Sequence, residues 1–190
     1  NMTRRTTTAG ATDYTYDAAG RIDTARDSIT GNDVLYDFDA AGRPSMEQYA
    51  TGQTVTAKRT YGCGPLGRLT TDTVTSADGA TTAASTTYGY DLDDNLTGKN
   101  TTGTAGAGSN TYAYDYANRM TSRTKDGTAT TSYEWDAAGN RTRSGATTAT
   151  FDARNRQLTD GTTTYTYTAR GTLSSVTTGS GPTRRTTFQP

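Results

Sequence analysis

The sequence contains no histidine and only one cysteine, Cys63. Without histidine, neither a Ser-His-Asp nor a Cys-His catalytic arrangement can be built, and His-ligated metal sites are excluded as well. A lone cysteine cannot form an internal disulfide, so cysteine usage does not indicate a redox compartment. Because Cys63 lacks a histidine base, we expect it to be a packed structural thiol and not a nucleophile.

Large apolar side chains are also scarce, since Leu, Ile, Val and Phe together supply sixteen of the 190 residues. Such a composition is typical of disorder only when the net charge is high, whereas here 19 basic residues balance 19 acidic ones. Thr, Tyr and Gly fill the space instead. Thr and Tyr suit a pleated, half-buried surface, so we predict an all-β fold held by backbone ladders and tyrosine packing.

The balanced charge also limits the partners. Nucleic acid and anionic membranes require a basic surplus on one surface, so neither is expected to bind. No run of about 18 apolar residues is present, so no membrane span is predicted. No cofactor is expected. No signal peptide is visible at Asn1, but the chain is expected to begin in mid-repeat, and a signal upstream would then not be seen.

One short stretch organises the chain: Tyr133 to Arg141, which has two aromatic residues one position apart, a carboxylate, two small residues and a glycine. The same pattern stands at Tyr14 to Ile22 and at Tyr36 to Pro44. Aligned on the second aromatic position, eight units follow one another at spacings of 16 to 27 residues. Their centres are Tyr16, Phe38, Cys63, Tyr90, Tyr114, Trp135, Phe151 and Tyr167. A constant unit with connections of variable length is typical of a repeat array.

The first aromatic position also forms a column, which reads Tyr14, Tyr36, Tyr61, Tyr88, Tyr112, Tyr133, Ala149 and Tyr165. The two columns together hold fourteen of the seventeen aromatic residues, which random low complexity would not produce.

The residues after the second aromatic predict a tight turn. Aspartate at the first position followed by glycine at the fourth favours a type I turn with a left-handed residue. The first position carries Asp17, Asp39, Gly64, Asp91, Asp115, Asp136, Asp152 and Thr168, and the fourth carries Gly20, Gly42, Gly67, Asp94, Asn118, Gly139, Asn155 and Gly171. All residues at the fourth position are Gly, Asn or Asp, which tolerate positive φ. In the third unit Gly64 replaces the aspartate, but Pro65 suits the next position of the turn.

A three-residue loop also fixes the pairing across each hairpin. Asp17 then faces Arg21, and Tyr16 faces Ile22. The same pairing recurs as Asp39–Arg43, Asp115–Arg119, Asp152–Arg156, Tyr90–Leu96, Tyr114–Met120 and Tyr167–Leu173. Two units depart from it: Trp135 faces Arg141, which allows a cation over the indole, and Phe151 faces either Gln157 or, after a slip, Leu158. Each pair contributes only about 0.2–1 kcal/mol, so the hairpins must be stabilised by their neighbours.

The segments between motifs contain the reverse-turn signals Asp78-Gly79, Asp126-Gly127 and Asp160-Gly161. The longest connections, Gln48 to Val55 and Thr101 to Asn110, are predicted to be surface loops. No domain boundary is evident, so we expect a single array over residues 1–190. Asn1-Met2 matches the Arg21-Ile22 position and Thr186-Thr187-Phe188 begins a ninth unit, so a longer array is expected to continue at both ends.

The repeated pattern aromatic-x-aromatic-Asp-x-x-Gly-Arg-aliphatic, with threonine-rich segments between copies, resembles the tyrosine-aspartate (YD) repeats of the bacterial Rhs family. The resemblance covers essentially the whole chain, and eight copies in phase make it specific. Related shells occur in insecticidal toxin complexes and in the extracellular teneurins. Family shells usually end in a signature containing Asp-Pro-x-Gly-Leu beside an autoproteolysis site. No stretch of this sequence matches that signature, so the sequence gives no basis for self-cleavage.

The resemblance implies antiparallel hairpins in a sheet that spirals into a β-shell or a solenoid-like array. In bacterial members such a shell encloses a C-terminal toxin domain until delivery. The implied partners are therefore the remainder of a longer chain and an enclosed toxin domain, and the implied location is secreted or at the cell surface. The tyrosines, aspartates and turn glycines of the motif would then be structural.

Two patterns allow other chemistry. Asp91 to Asn95 spaces three side-chain oxygens as a calcium loop does, but Leu96 and Thr102 stand where that loop has glycine and glutamate, so a turn is expected and no metal site. Paired carboxylates could serve a glycosidase, yet these aspartates begin a turn in nearly every copy, which favours a structural role.

The sequence therefore favours a non-enzymatic scaffold, part of a secreted shell that encloses or carries an effector. The alternative is an extracellular or wall-associated fibre or adhesin that presents Tyr and Thr to glycans or to neighbouring cells. An enzyme would instead require a cluster of perturbed acids in a cleft.

Overall fold

A computed structural model describes residues 1–104 and 106–179, and the backbone of residues 184–187. Its secondary structure consists of antiparallel strands, with no helix among the described residues, so the predicted all-β class is confirmed. The strands are β1 Arg4–Thr7, β2 Gly10–Tyr16, β3 Ile22–Asp27, β4 Asn32–Phe38, β5 Pro44–Thr51, β6 Thr54–Cys63, β7 Leu69–Ser76, β8 Thr82–Tyr90, β9 Leu96–Thr102, β10 Gly108–Tyr114, β11 Met120–Lys125, β12 Ala129–Trp135, β13 Arg141–Ser144, β14 Thr147–Phe151, β15 Gln157–Asp160, β16 Thr163–Tyr167, β17 Leu173–Thr178 and β18 Arg184–Thr187.

The chain divides into two compact units, residues 1–109 and 110–190. In the first unit, β1 to β9 form an antiparallel meander in which each strand pairs with the next. In the second unit, β10 to β18 follow the same plan. This connectivity keeps successive hairpins next to each other, as nearest-neighbour stabilisation of a repeat array requires.

Each of the eight sequence repeats is one hairpin, from β2–β3 to β16–β17. In every hairpin the register shifts just before the second aromatic, for example between Thr15 and Tyr16 and between Glu134 and Trp135. The same shift is present in the other six hairpins. Such a bulge increases the local twist beside the turn. The predicted ninth unit begins at β18, and its Phe188 lies outside the described residues.

The longest predicted loops are largely strand. Residues 48–51 belong to β5 and residues 54–55 to β6, so the expected loop from Gln48 to Val55 is reduced to a turn at Gly52 and Gln53. Both turn residues have positive φ, 55° and 77°, which matches the right-handed twist of the flanking strands. The second predicted loop, Thr101 to Asn110, is also shorter than expected, because β9 runs to Thr102 and β10 begins at Gly108.

The sheet has almost no buried core. Among the described residues only Ala11, Ala50 and Ser175 are buried, and no large side chain is fully buried. Along β12 and β16, half-buried residues alternate with exposed ones, and the half-buried set contains the aromatic columns. We call the side of the sheet that carries these columns the aromatic face.

Candidate functional site

The motif turn is closed by its aspartate, whose two carboxylate oxygens have separate partners. In the first hairpin, Asp17 Oδ1 accepts the backbone N–H groups of Ala19 and Arg21, both at 2.9 Å. Asp17 Oδ2 accepts Nε and Nη2 of Arg21 at 2.7 and 2.6 Å. The backbone adds N–H bonds from Gly20 to the Asp17 carbonyl and from Asp17 to the Arg21 carbonyl. One carboxylate therefore fixes both the turn and the arginine that follows it.

The same arrangement recurs at the other aspartate–arginine turns, with Oδ2 to Nη2 distances of 2.7 Å for Asp39–Arg43, 2.7 Å for Asp115–Arg119 and 2.6 Å for Asp152–Arg156. Two turns carry asparagine in place of arginine. Asp91 Oδ2 accepts Nδ2 of Asn95 at 3.0 Å, and Asp136 Oδ2 accepts Nδ2 of Asn140 at 2.8 Å. The predicted cross-strand pairing of acid and base is therefore observed as hydrogen-bonded ion pairs.

These bonds lower the pKa of every motif aspartate. Donation by the Arg156 side chain, followed by the Arg156 backbone N–H, lowers the pKa of Asp152 to about 2. In Asp17 and Asp39 the backbone N–H after the turn is the largest cause of a lowered pKa, and the arginine side chain is the second. The pKa values of Asp91, Asp115 and Asp136 are also lowered, with the neighbouring Asn or Arg side chain as the largest cause. A general acid needs the opposite shift, so these carboxylates act as turn acceptors.

The fourth turn position has positive φ in all eight hairpins, as the sequence predicts. The φ values are 78° at Gly20, 80° at Gly42, 78° at Gly67, 67° at Asp94, 58° at Asn118, 87° at Gly139, 57° at Asn155 and 92° at Gly171. This left-handed conformation explains the restriction to Gly, Asn and Asp.

The motif arginine also reaches the next hairpin along the chain. The Arg21 guanidinium lies 4.2 Å from the ring centroid of Phe38, which is the second aromatic of the following repeat. The same contact joins Arg68 to Tyr90 at 4.9 Å, Arg119 to Trp135 at 5.7 Å and Arg156 to Tyr167 at 4.7 Å. The motif arginine of one hairpin thus packs on a ring of the next, an arrangement we call the arginine link. In three of the four links the guanidinium is also held by the aspartate of its own turn, whereas Arg68 pairs with Asp94 of the next hairpin.

The polar tips of the second aromatics make a further connection, this time to the preceding hairpin. Trp135 Nε1 donates to the Met120 carbonyl at 2.9 Å, and the Tyr167 hydroxyl donates to the Gln157 carbonyl at 2.8 Å. The Tyr16 hydroxyl likewise donates to the Met2 carbonyl. Each acceptor occupies the same register position, directly after the Arg or Asn site. Four pairs of consecutive hairpins are therefore joined by stacking at the motif end, and two of these pairs also by a tip hydrogen bond.

The sequence predicted that Arg141 would lie over the indole of Trp135, and this choice of arginine is wrong. Arg141 faces Trp135 in the register, but its guanidinium lies 5.8 Å from the ring centroid of Tyr133. The indole instead carries Arg119 of the preceding hairpin. The register of one hairpin does not contain this contact, because the arginine link crosses between hairpins. In the next hairpin, Phe151 pairs with Gln157, and the alternative slip to Leu158 does not occur.

The sequence did not predict a polar network on the aromatic face of the first unit. Glu47 accepts the hydroxyl groups of Tyr49 at 2.5 Å and Tyr61 at 2.8 Å. Arg59 donates to both oxygens of Asp72 at 2.8 and 2.6 Å. Burial and Glu47 raise the pKa of Tyr61, while the Arg59 side chain lowers the pKa of Asp72. The members come from three different strands, and only the cross-strand register could have grouped them in advance.

The first aromatic column faces a mixed row of residues across each hairpin. Tyr36 pairs with Glu47, Tyr88 with Lys99 and Tyr112 with Arg123. Tyr14, Tyr133 and Tyr165 pair instead with Ala25, Ser144 and Val176. The aromatic face therefore combines rings with charged groups of both signs.

The other candidates are part of the repeat. Cys63 is half-buried and pairs with Leu69 in the second aromatic column. In the calcium-like stretch, Asp91 Oδ1 accepts two backbone N–H groups, and Asp94 Oδ1 accepts Arg68 at 2.6 Å. Within the described ranges no group of three or more His, Cys, Asp or Glu side chains could hold a metal ion. In the part of the chain that the structure describes, no helix is long and apolar enough to cross a membrane.

Comparison with known proteins gives no family assignment. No protein-family model matches the chain, and no curated protein matches it either. Among solved structures, the chain is similar to that of TcdB2-TccC3-Cdc42, with a TM-score of 0.47 and 19% identity over 88% of this chain and 12% of that one. TcdB2-TccC3 without its hypervariable C-terminal region gives a TM-score of 0.46 and 19% identity over 93% and 13% of the two chains. A porin-like protein from Bacteroides uniformis ATCC 8492 gives 0.34 and 18% identity over 94% and 88%. The chain thus spans about one eighth of the length of the TcdB2-TccC3 chains.

Proposed function

We propose that this chain is a non-enzymatic structural scaffold, a segment of the β-shell of a secreted Rhs-type YD-repeat protein. One observation carries the proposal: the aromatic face lacks the buried core of a self-sufficient domain, since only three described residues are buried. A sheet face rich in half-exposed rings is stabilised when further polypeptide covers it. In a shell, that cover is the enclosed effector or further wall.

The contacts between hairpins are suited to a shell wall whose repeats keep their arrangement while the connections vary in length. Arginine links hold four pairs of consecutive hairpins together at the motif end, and tip hydrogen bonds reinforce two of these pairs. The motif carboxylates are engaged in turns, and their lowered pKa values leave them ionised and poorly suited to acid–base catalysis. The role is therefore steric: the wall would enclose or carry a C-terminal toxin or effector and keep it from solvent until release.

Imaging of the full-length secreted protein by electron microscopy tests this proposal. A closed hollow particle, together with protection of the C-terminal region from added protease, is the expected result. Solid or filamentous particles with a protease-accessible C-terminal region would overturn the shell function.

The alternative is an extracellular fibre or adhesin, and one observation favours it. Three motif turns carry large apolar side chains at their tips, Leu66 at 70%, Leu92 at 97% and Tyr116 at 110% exposure. Side chains so exposed are suited to contact with an external partner, such as a glycan or a neighbouring cell. Filaments that bind cells, and that lose binding in Tyr116→Ala, would support this function instead.

A further inference from the structure

The sixth and seventh repeats depart from the pattern at neighbouring positions on the aromatic face. Arg141 stands where other repeats carry an apolar residue, such as Ile22, Met120 or Leu173. Ala149 stands where seven repeats have a tyrosine. A charged side chain and a missing ring are thus introduced where the other hairpins pack aromatic and aliphatic groups.

A cavity of about 450 Å³ lies at this place in the second unit. It is lined by three aromatic residues, two arginines, a methionine and an asparagine: Tyr114, Tyr133, Trp135, Arg119, Arg141, Met120 and Asn118. No carboxylate lines it. A second cavity, of about 230 Å³, shares Trp135 and Arg141, extends to Ala149 and has Asp160 in its wall. The volume of the first cavity is within the range of small-ligand sites.

The guanidinium groups of Arg119 and Arg141 differ in whether their N–H donors already have hydrogen-bond partners. Arg119 is fully engaged, because it donates to Asp115 at 2.8 and 2.7 Å and to the Asp136 carbonyl at 3.1 Å. Arg141 lies over Tyr133 and, within residues 1–104 and 106–179, has no side-chain hydrogen bond or ion pair. Arg141 therefore lines both cavities with its side-chain donors unpaired among the described residues, and only the smaller cavity has a carboxylate, Asp160, in its wall.

We propose that the larger cavity binds an acidic side chain of an extended polypeptide, with Arg141 donating to the carboxylate as a fork. A guanidinium already placed over a ring loses less freedom on forming such a bidentate pair. Met120 and the ring edges would receive the aliphatic neighbours of the acidic residue. The positive charge without a carboxylate in the wall provides the complementarity.

A polypeptide is favoured over an acidic sugar for a geometric reason. Tyr133 and Trp135 each already carry a guanidinium over one ring face, at 5.8 and 5.7 Å. Those contacts occupy stacking surface that a pyranose ring would need. The inference rests on the proposed function in taking the ligand to be a segment of an enclosed chain.

Trp135 is the only tryptophan in the sequence and lines both cavities, so its fluorescence reports on this region. The probe is a short peptide, Leu-Glu-Leu, blocked at both ends, and the matched probe is blocked Leu-Gln-Leu. Titration of the intact chain with the glutamate peptide is expected to change the emission of Trp135 saturably. The glutamine peptide should bind at least ten-fold more weakly, and Arg141→Met should weaken the glutamate peptide to the same degree.

The variants are chosen so that the result cannot be attributed to unfolding. Methionine occurs at the equivalent position as Met120, so Arg141→Met is compatible with the repeat, and circular dichroism checks its fold. Arg141→Lys keeps the charge without the fork and should weaken binding several-fold. Arg143→Met is the matched control, because Arg143 is on the same strand but pairs with Glu134 at 3.0 Å, and it should leave binding unchanged.

Two results would overturn the inference: no saturable change with the glutamate peptide, or equal binding by Arg141→Met. Binding of glucuronate in place of the peptide, lost in Arg141→Met, would overturn the assignment to a polypeptide. The shell function is tested by a separate experiment, the imaging of the full-length protein. If the full-length protein forms no hollow particle, the shell is refuted, while Arg141-dependent peptide binding would still establish the site.

Discussion

The two ends of each hairpin are built differently. At the motif end, a carboxylate closes the turn and positions an arginine or asparagine, and arginine links join neighbouring hairpins. At the opposite end, connecting turns such as those at Gly52 and Gly127 have left-handed residues and differ in length, without an arginine placed on the next ring among the described contacts. Side-chain links between hairpins are thus found at the motif end, whereas the connections at the other end vary in length.

Acid should produce the largest effect, because it acts on most motif ends together. The pKa values of the motif aspartates lie below the ordinary value of 3.8, and that of Asp152 is about 2. A lowered pKa in the folded state stabilises the protein above pH 4, and this contribution is lost as the pH falls from about 4 to 2. Urea midpoints measured at pH 7, 4, 3 and 2 should therefore stay level to pH 4 and then fall.

Asp152→Asn provides the control for the acid experiment. It should be less stable at pH 7 and should lose less between pH 4 and pH 2. Asp27 and Asp78, which lie in two of the connecting turns, also have lowered pKa values. Their protonation therefore contributes to the same fall in stability. A midpoint that is unchanged down to pH 2 would contradict the role of the carboxylates.

Insertions should separate the two ends most clearly. A Gly-Ser insertion between Ala137 and Ala138 breaks the backbone bonds from Gly139 to Asp136 and from Asp136 to Asn140, 3.1 and 3.0 Å long. At about 1 kcal/mol each, their loss should lower the free energy of unfolding by about 2–3 kcal/mol. The same insertion between Asp126 and Gly127 breaks one backbone bond, from Thr128 to the Lys125 carbonyl at 3.1 Å, and should cost about 1 kcal/mol. Equal losses in urea denaturation would remove the distinction between the ends.

Gly139 tests the backbone of the motif turn alone. Its φ is 87°, and a Cβ atom there would meet nothing within 4 Å, so a substitution meets backbone strain without a clash. Gly139→Val should lower the free energy of unfolding by about 1–2 kcal/mol. Gly139→Asn should cost clearly less, since Asn118 and Asn155 occupy the same position with φ of 58° and 57°. Equal tolerance of valine and asparagine in urea denaturation would refute the left-handed turn.

The tip hydrogen bonds should have a smaller effect. Tyr167→Phe removes the bond of 2.8 Å to the Gln157 carbonyl and should cost about 0.5–1.5 kcal/mol. Tyr165→Phe is the matched control, because the Tyr165 hydroxyl has no hydrogen bond to the described residues, and it should cost close to nothing. Thermal unfolding of both variants measures the difference. A control variant as unstable as Tyr167→Phe would show that the bond between hairpins contributes nothing.

The sequence was sufficient for what lies within one hairpin. The turn at Asp136 to Gly139, the positive φ of its fourth residue and the pairing of Trp135 with Arg141 follow from local turn chemistry and a period of two. The extent of the strands was less predictable. The stretch from Gln48 to Val55 is mostly polar and contains Gly52, which predicted a loop. The strands instead continue up to a tight turn at Gly52 and Gln53.

The sequence did not predict the side-chain contacts between hairpins. The partner of Arg141 was mispredicted because ring and cation are joined across neighbouring repeats as well as within one, and only the geometry selects between them. The network of Glu47, Arg59 and Asp72 likewise depends on strands brought together by the ladder. The sequence did contain a signal for the arginine link, because the motif arginine follows the second aromatic position by five residues in several repeats. The ring that this arginine contacts lies in the next repeat, which the spacing within one repeat does not indicate.

The arginine link between the first two hairpins offers the most direct test of this account. Arg21 and Phe38 form the shortest of these contacts, 4.2 Å, and Phe38 has no hydroxyl that would confuse the result. A double-mutant cycle with Arg21→Met and Phe38→Leu should give a coupling free energy of about 0.5–1 kcal/mol. The control cycle combines Phe38→Leu with Arg26→Met, because Arg26 pairs with Asp33, five residues and about 16 Å along the strand from Phe38. The account predicts coupling in the first cycle and none in the control, and additive effects of Arg21→Met and Phe38→Leu would contradict it.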